Sequence, residues 1–313
     1  MEYTYLLIDG SLYINLESNM LNLMYFLLFK AEPLTFFEKK TNSKVLNYFK
    51  PLVRLKRVLE FIYLFYRRKQ IYSKSKDSFP AITTTFDGHC LMILRLGEYK
   101  IINFRKKNIT TVFPNNFSIA EIRKNIQKLV DAQKCSLAPR VINWDINMRN
   151  ITENYVNLKT SKFDYVNNRN FYLEVFPILL KIMESTNPQR TLSKQYIEKI
   201  IYRIEILMGI YLNQDSSSDI PIIEFFSYIK KELTFHTEKE LLLVLSHGDF
   251  WGGNILKNKT KYRVIDWNTI DMRSFYFDFY FIMFDKAFKK NKVTWINFAQ
   301  EIDTDFKHFE LYL

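Results

Sequence analysis

The sequence predicts an α+β fold in which a small β-rich segment carrying one helix precedes a larger, mainly helical segment. Three observations predict it. Residues 81 to 157 read as short β-rich runs broken by turn signals, with a single capped helix among them. From about residue 160 the apolar pattern is mostly helical. Between helical stretches near the end, a glycine-rich loop runs straight into two strand-like runs, "SHGDFWGGN" and then "NILK" and "YRVIDW".

Residues 1 to 75 form a mixed, aromatic-rich, basic extension that is partly helical. Its run "MLNLMYFLLF", residues 20 to 29, is about half the length that a membrane-spanning helix needs, and Lys30 and Glu32 close it. Residues 51 to 71 place a Leu/Val/Phe/Tyr face against Arg54, Lys56, Arg57, Arg67, Arg68 and Lys69, the pattern of a basic amphipathic helix. Such a face docks on the protein core or on a membrane surface, and both are carried forward, the second as a peripheral contact. The polar stretch "YSKSKDSFP", residues 72 to 80, marks a boundary ending at a proline.

The small β-rich unit spans residues 76 to 158. "AITTTF", "HCLMILRL", "YKIINF" and "ITTVF" are strands, and Asp87-Gly88 and Gly97-Glu98 between them are hairpin signals. In "FSIAEIRKNIQKLVDAQ", Ile119, Ile122, Ile126, Leu129 and Val130 share a helical face, with Ser118 at the cap and Glu121 three residues on, a capping-box spacing. "RVINWDI" and "NITENYVNL" close the unit as strands, and residues 159 to 313 form the helical unit. There Phe275, Tyr276, Phe279, Tyr280, Phe281 and Phe284 surround most of a helix and mark a buried element.

With 313 residues and 48% hydrophobic composition the chain can bury a substantial core. Two cysteines, Cys90 and Cys135, cannot build a disulfide framework, and "MEYTYLLIDG" lacks the basic region of a secretory signal. The expected place is the cytoplasm, with the inner membrane surface open to the amphipathic helix. A formal net charge of +12 favours acidic partners, but Lys and Arg are spread along the chain. No helix-turn-helix, zinc-finger spacing or aromatic-basic signature points to nucleic acid, which is excluded as a partner.

Chemistry concentrates in "LVLSHGDFWGGNILKNKTKYRVIDWNTID", residues 243 to 271, which holds three of seven glycines and two of four tryptophans. A symmetric hairpin centred near Thr260 sets Asn254 opposite Asp266, and the loop before it holds Asp249 near the same spot. Magnesium takes a few hard oxygen ligands and keeps water and phosphate oxygens for the rest of its shell. A further carboxylate not engaged by metal can accept a hydroxyl proton during phosphoryl transfer.

"HGDFWGGNIL" followed by "VIDW" closely resembles the catalytic loop and metal-binding strand of the aminoglycoside phosphotransferase and choline kinase family, whose two-lobe fold is similar to that of protein kinases. The resemblance covers about residues 81 to 290. It implies Asp249 as catalytic base, His247 as the brace of the loop, Asn254 and Asp266 as magnesium ligands, and Asp278 as the aspartate that pins the loop from the following helix. It further implies a hinge at Glu153, Asn154, Tyr155 and Val156 whose backbone bonds adenine, with ATP and magnesium as cofactors. A phosphate lysine belongs on the strand before the small-lobe helix, paired with a helix glutamate. If "ITTVF" is that strand the position holds Thr110 or Thr111; if "YKIINF" is, Lys100 fits but an extra strand intervenes, and Glu121 is the partner in either case.

The implied activity is ATP- and magnesium-dependent transfer of the γ-phosphate to a hydroxyl of a small alcohol or sugar, such as a surface-polysaccharide precursor. The family's acidic or aromatic pockets suit cationic acceptors, whereas the helical unit here keeps a basic balance, and Asp271 and Arg273 are the nearest acceptor candidates. The competing reading is a pseudokinase or nucleotide-sensing scaffold without turnover, favoured by the uncertain lysine.

Overall fold

The computed structural model describes residues 1–34, 37, 49–76, 80–94, 96–165, 167–212, 219–234, 239–259, 261–289, 304–305, 307 and 309. The hairpin centre at Thr260 and residues 77–79 of the polar stretch before the proline at 80 lie outside these residues. The described elements confirm an α+β chain.

In chain order they are β1 (Tyr3–Asp9), β2 (Leu12–Asn15), α1 (Met20–Phe29), α2 (Lys50–Lys74), β3 (Ala81–Thr84), β4 (Cys90–Ile93), β5 (Tyr99–Asn103), β6 (Asn108–Val112), α3 (Ile119–Ala132), β7 (Val141–Asp145), β8 (Asn150–Asn154) and β9 (Lys159–Thr160). There follow α4 (Asn168–Met183), β10 (Gln189–Leu192), α5 (Ser193–Tyr211), α6 (Ile220–Thr234), β11 (Glu240–Ser246), β12 (Ile255–Lys257), β13 (Tyr262–Val264), β14 (Asp271–Ser274) and α7 (Phe277–Lys289).

Eight strands make one antiparallel sheet in the order β3-β1-β2-β4-β5-β6-β8-β7. Strands β1 and β2, from the expected N-terminal extension, therefore stand inside the sheet, and the boundary near residue 75 does not divide it. Asp87-Gly88 is not a hairpin turn either, because β1 and β2 lie between β3 and β4. The hairpin turn is instead Gly10-Ser11, between Asp9 and its partner Leu12, and Gly10 takes φ 54°. At Gly88 a Cβ would collide with the side chain of Ile101, so glycine lets the β3–β4 loop cross close over β5.

Helix α2 answers the question its amphipathic face raised. Val53, Val58, Phe61, Ile62 and Phe65 are buried, and the last four join Leu6, Ile8, Leu12, Ile14, Phe26 and Ile102 in one apolar core. Its cations tie it down. Arg54 donates to the Leu27 carbonyl at 2.9 Å, Arg68 to the Leu7 carbonyl, and Lys69 to the Leu16 carbonyl at 2.6 Å. The core thus uses part of the apolar surface, while Leu52, Leu55, Leu59 and Tyr63 of the same helix stay exposed. No helix among the described residues is long and apolar enough to cross a membrane.

A second core gathers Ile122, Ile126 and Leu129 of α3 with Phe171, Val175 and Leu179 of α4, Val244 of β11, and Phe279 and Ile282 of α7. Helix α3 is capped as its sequence requires: Ser118 Oγ accepts from the Glu121 N–H at 3.2 Å, and the Glu121 carboxylate accepts from the Ser118 N–H at 2.7 Å. The aromatic helix α7 is only half submerged. Phe279 is 1% exposed, while Tyr280 and Phe284 are 36% and 42% exposed, so the element has a core face and an open one. Lys286 and Asp305 form a buried ion pair with Nζ and Oδ2 at 2.7 Å, fastening the C-terminal segment to this core.

His89 packs edge-on against Phe26 at 4.5 Å, and its Nδ1 accepts from the Phe104 N–H at 3.2 Å. Burial pushes its pKa down to about 4. The folded value lies below the unfolded one, so this stability is present above about pH 6.5 and is lost as pH falls toward 4. Thermal melts across that window should show a loss on the order of 2 kcal/mol, after discounting for partial exposure, that is missing from His89→Gln. Equal acid sensitivity in the two proteins would contradict it.

Candidate active site

Strand β11 ends in Ser246, and the chain then turns through His247, Gly248 and Asp249. Gly248 has φ 82°, and a Cβ there would collide with the Arg273 guanidinium and the Thr269 carbonyl, so only glycine fits. Asp278, at the start of α7, holds this turn. Its Oδ1 accepts from the Ser246 hydroxyl at 3.0 Å and the Gly248 N–H at 2.9 Å, and its Oδ2 accepts from the His247 N–H at 2.6 Å.

His247 is 0% exposed, and burial lowers its pKa. Its Nδ1 accepts from the Asp249 N–H at 3.3 Å, which leaves the ring proton on Nε2 to donate to the Ile265 carbonyl at 2.8 Å. One neutral tautomer therefore ties the loop bearing Asp249 to the residue preceding Asp266. Trp267 packs edge-on against this ring at 4.7 Å.

Beyond the loop, β12 and β13 pair with Ile255 opposite Val264. The Ile265 N–H donates to the Asn254 carbonyl at 2.9 Å, so Asn254 faces Ile265 and not Asp266. The expected register is one residue off. Asp266 leaves the ladder in the left-handed conformation, φ 62° and ψ 53°, a turn that lies outside the symmetric hairpin. Asn254 is 5% exposed, and its Nδ2 donates at 2.9 Å to both the Asp249 carbonyl and Oδ2. With the amide nitrogen so engaged, Oδ1 is the atom left to bind a cation. A carboxylate and an amide oxygen fit magnesium, which needs few protein ligands. Among the described residues no group of three or more His, Cys, Asp and Glu gathers as a richer metal site.

Lys100 reaches this place from β5 of the large sheet. Its Nζ lies 2.5 Å from Asp266 Oδ1, a contact between residues 166 apart in sequence. The strand that leads into α3 is β6, "ITTVF" included, so the slot for a lysine there holds Thr110 and Thr111. Lys100 comes from the next strand out and stands opposite Thr111 in the ladder. Burial disfavours its charge, but Asp266, Glu153 and Glu98 more than offset this and hold its pKa above the usual lysine value. Asp266 is held below the carboxylate range chiefly by Lys100. The turn between β4 and β5 covers this end, with Gly97 at φ 97° and its N–H donating to the Leu94 carbonyl at 3.1 Å.

Two of the expected residues, Glu121 and Tyr155, serve elsewhere. Glu121 is exposed and bound to Ser118, so it is a helix cap and not the partner of Lys100. Glu153 lies within β8, paired with Ile109 and Val141, and the Tyr155 N–H donates to the Lys107 carbonyl at 2.8 Å. The Tyr155 N–H is therefore not open to adenine. Its ring meets Phe104 edge-on at 5.5 Å, inside the N-terminal core. Val156 follows directly, and the side chain of Asn157 grips the end of α1, donating to the Phe29 carbonyl at 3.1 Å and accepting from the Glu32 N–H at 3.2 Å.

Asp271 pairs with Arg203 at 3.1 Å. Arg273 braces the loop: its Nη2 donates to the Thr269 carbonyl at 2.6 Å, and its guanidinium lies 4.9 Å above the Phe277 ring. The sequence signal for that role was Gly248, whose missing side chain makes room for the guanidinium.

No protein-family model matches the sequence, and no curated protein does. Among solved structures the chain is similar to the choline kinase LicA from Streptococcus pneumoniae, with 16% identity, 77% of this chain and 79% of that chain covered, and a TM-score of 0.47. It is similar to the GDP and kanamycin complex of APH(2")-IIia, with 12% identity, 78% and 89% covered, and a TM-score of 0.45. It is also similar to a glucosamine kinase in complex with glucosamine, ADP and inorganic phosphate, with 13% identity, 70% and 67% covered, and a TM-score of 0.40.

Proposed function

We propose that this chain is a small-molecule kinase of the aminoglycoside phosphotransferase and choline kinase type, with a two-lobe, protein-kinase-like arrangement, that moves the γ-phosphate of ATP to an alcohol hydroxyl. The observation that supports this best is the meeting of Lys100 from the large sheet with Asp266 of the loop-and-hairpin segment that also carries Asp249 and Asn254. A base, two hard oxygen ligands and a cation in one cleft are the parts phosphoryl transfer requires.

In this reading Asp249 orients the acceptor hydroxyl and takes its proton as that oxygen bonds to the γ-phosphorus. The bond from phosphorus to the β–γ bridging oxygen breaks, and ADP leaves with the electron pair. Asn254, through Oδ1, and Asp266 would hold magnesium, which when bound neutralises charge on the phosphates. Lys100 turns to the same phosphates. His247 and Asp278 keep Asp249 in place.

The non-catalytic scaffold drew its support from a doubtful lysine, and Lys100 beside Asp266 takes that support away. A neutral hydroxyl compound, such as a sugar or surface-polysaccharide precursor, suits the acceptor side better than a polycation, because Asp271, the carboxylate expected to meet an acceptor, is already paired with Arg203. The test is ATP turnover with magnesium across sugars, polyols, choline and aminoglycosides, with phosphorylated product identified by mass. Transfer to a neutral hydroxyl compound is expected. Nucleotide binding without transfer to any acceptor would favour the scaffold, and transfer only to cations would overturn the acceptor class.

A further inference from the structure

Helix α3 brings no carboxylate to Lys100. Its two acids are Glu121, held in the capping box, and Asp131, held by Lys134 at 2.8 Å and Gln127 at 3.2 Å. Lys100 is nevertheless a half-buried cation, and outside Asp266 the carboxylates acting on it are Glu153 and Glu98. An oxygen of Asp266 that turns to a metal is withdrawn from the ammonium group, so Lys100 then needs a second anion.

The sheet register places one. Lys100 stands opposite Thr111, which stands opposite Ile151; two residues along, Ile102 stands opposite Ile109, which stands opposite Glu153. Alternation along strands puts all six on one face, with Glu153 two strands and two residues from Lys100, roughly 12 Å between Cα atoms, a span that the two extended side chains can close from either end. Burial pushes Glu153 up to about 7, with Lys100 pulling it down and Asp266 pushing it up, so its carboxyl lies in the field of both.

Resting on the reading of this cleft as a nucleotide site, we infer that Glu153 is the positioning residue that holds Lys100 against the phosphates once Asp266 is engaged by metal. A strand glutamate thereby fills the place that the small-lobe helix leaves empty. Lysine and glutamate have both moved: the lysine one strand outward from β6, the glutamate from α3 to β8.

Calorimetric affinity for ADP tests this, with magnesium and separately in chelator, on wild type, Lys100→Met, and Glu153→Gln, Glu153→Asp and Glu98→Gln, each alone and in the Lys100→Met background. Thermal melts identify any variant that fails to fold. With magnesium, Glu153→Gln should weaken ADP roughly tenfold, the scale of one charge-assisted contact, and Glu153→Asp should recover part of that. In the Lys100→Met background Glu153→Gln should cost nothing further, because the glutamate acts only through the lysine. In chelator its effect should shrink, since Asp266 then holds the ammonium.

Fully additive losses, or non-additivity at Glu98 instead, would overturn the role of Glu153 while leaving the nucleotide site standing. Should Glu153→Gln fail to fold, Glu153→Asp decides: a partial loss of ADP affinity in magnesium that vanishes in the Lys100→Met background supports the role, and an affinity equal to wild type, or a loss that persists in that background, overturns it. A wild type that binds no ADP would overturn the kinase reading and this inference together.

Discussion

Asp249→Asn lowers kcat by about 10² to 10⁴, the scale of a lost general base, and leaves nucleotide affinity nearly unchanged. In phosphoryl transfer the protein mainly positions reactants and offsets charge, so a carboxylate that orients the hydroxyl acts on the chemical step more than on ATP binding. The fold tolerates the change. Asp249 Oδ2 accepts from Asn254 Nδ2, and the Asn oxygen keeps that bond, while the turn is held by Asp278 and His247 through the backbone. Turnover and calorimetric affinity, compared on one preparation, check it. Equal turnover in both proteins would mean that the loop "HGDFWGGN" carries no catalytic base.

Asp266→Ala should abolish magnesium-dependent nucleotide binding and turnover together. Asp266 is the carboxylate of the candidate metal pair, and its loss leaves Asn254 alone, one neutral oxygen, against a doubly charged cation. The substitution also frees Lys100 from its contact at 2.5 Å, so weak binding of ADP without metal should survive or improve slightly. The left-handed backbone at Asp266 adds a modest cost, because alanine takes φ 62° less readily than aspartate. Calorimetry with and without magnesium separates the effects. Magnesium-dependent binding that persists in Asp266→Ala would remove this residue from the site.

The parts of this architecture that local chemistry dictates were legible in the sequence. Strands β3 to β8 follow from β-rich runs and turn residues, and α3 from its apolar face and the Ser118 and Glu121 cap. The loop from His247 to Asn254 follows from its glycines and concentrated side-chain chemistry. The hairpin β1–β2 was missed although Gly10-Ser11 signals it. All four residues of β2 are buried, so no alternation marks the strand, and its neighbours β1 and β4 come from either side of two helices.

The one-residue register error at Asn254 arose because a left-handed aspartate leaves no trace in a pattern of apolar and polar residues. The contact of Lys100 with Asp266 depends on how a strand and a hairpin distant in sequence come together, which no local signal encodes. Glu121 illustrates the opposite hazard. Its spacing fitted two roles, and the exposed first turn of α3 decided for the cap.

The most direct measurement is a crystal structure with magnesium and a non-hydrolysable ATP analogue. The metal is predicted to touch Asp266 and Asn254 Oδ1, Lys100 Nζ to contact the phosphates, and Asp249 to face the open side of the γ-phosphate. A nucleotide bound elsewhere, or a metal touching neither Asn254 nor Asp266, would contradict the assignment of this cleft to phosphoryl transfer.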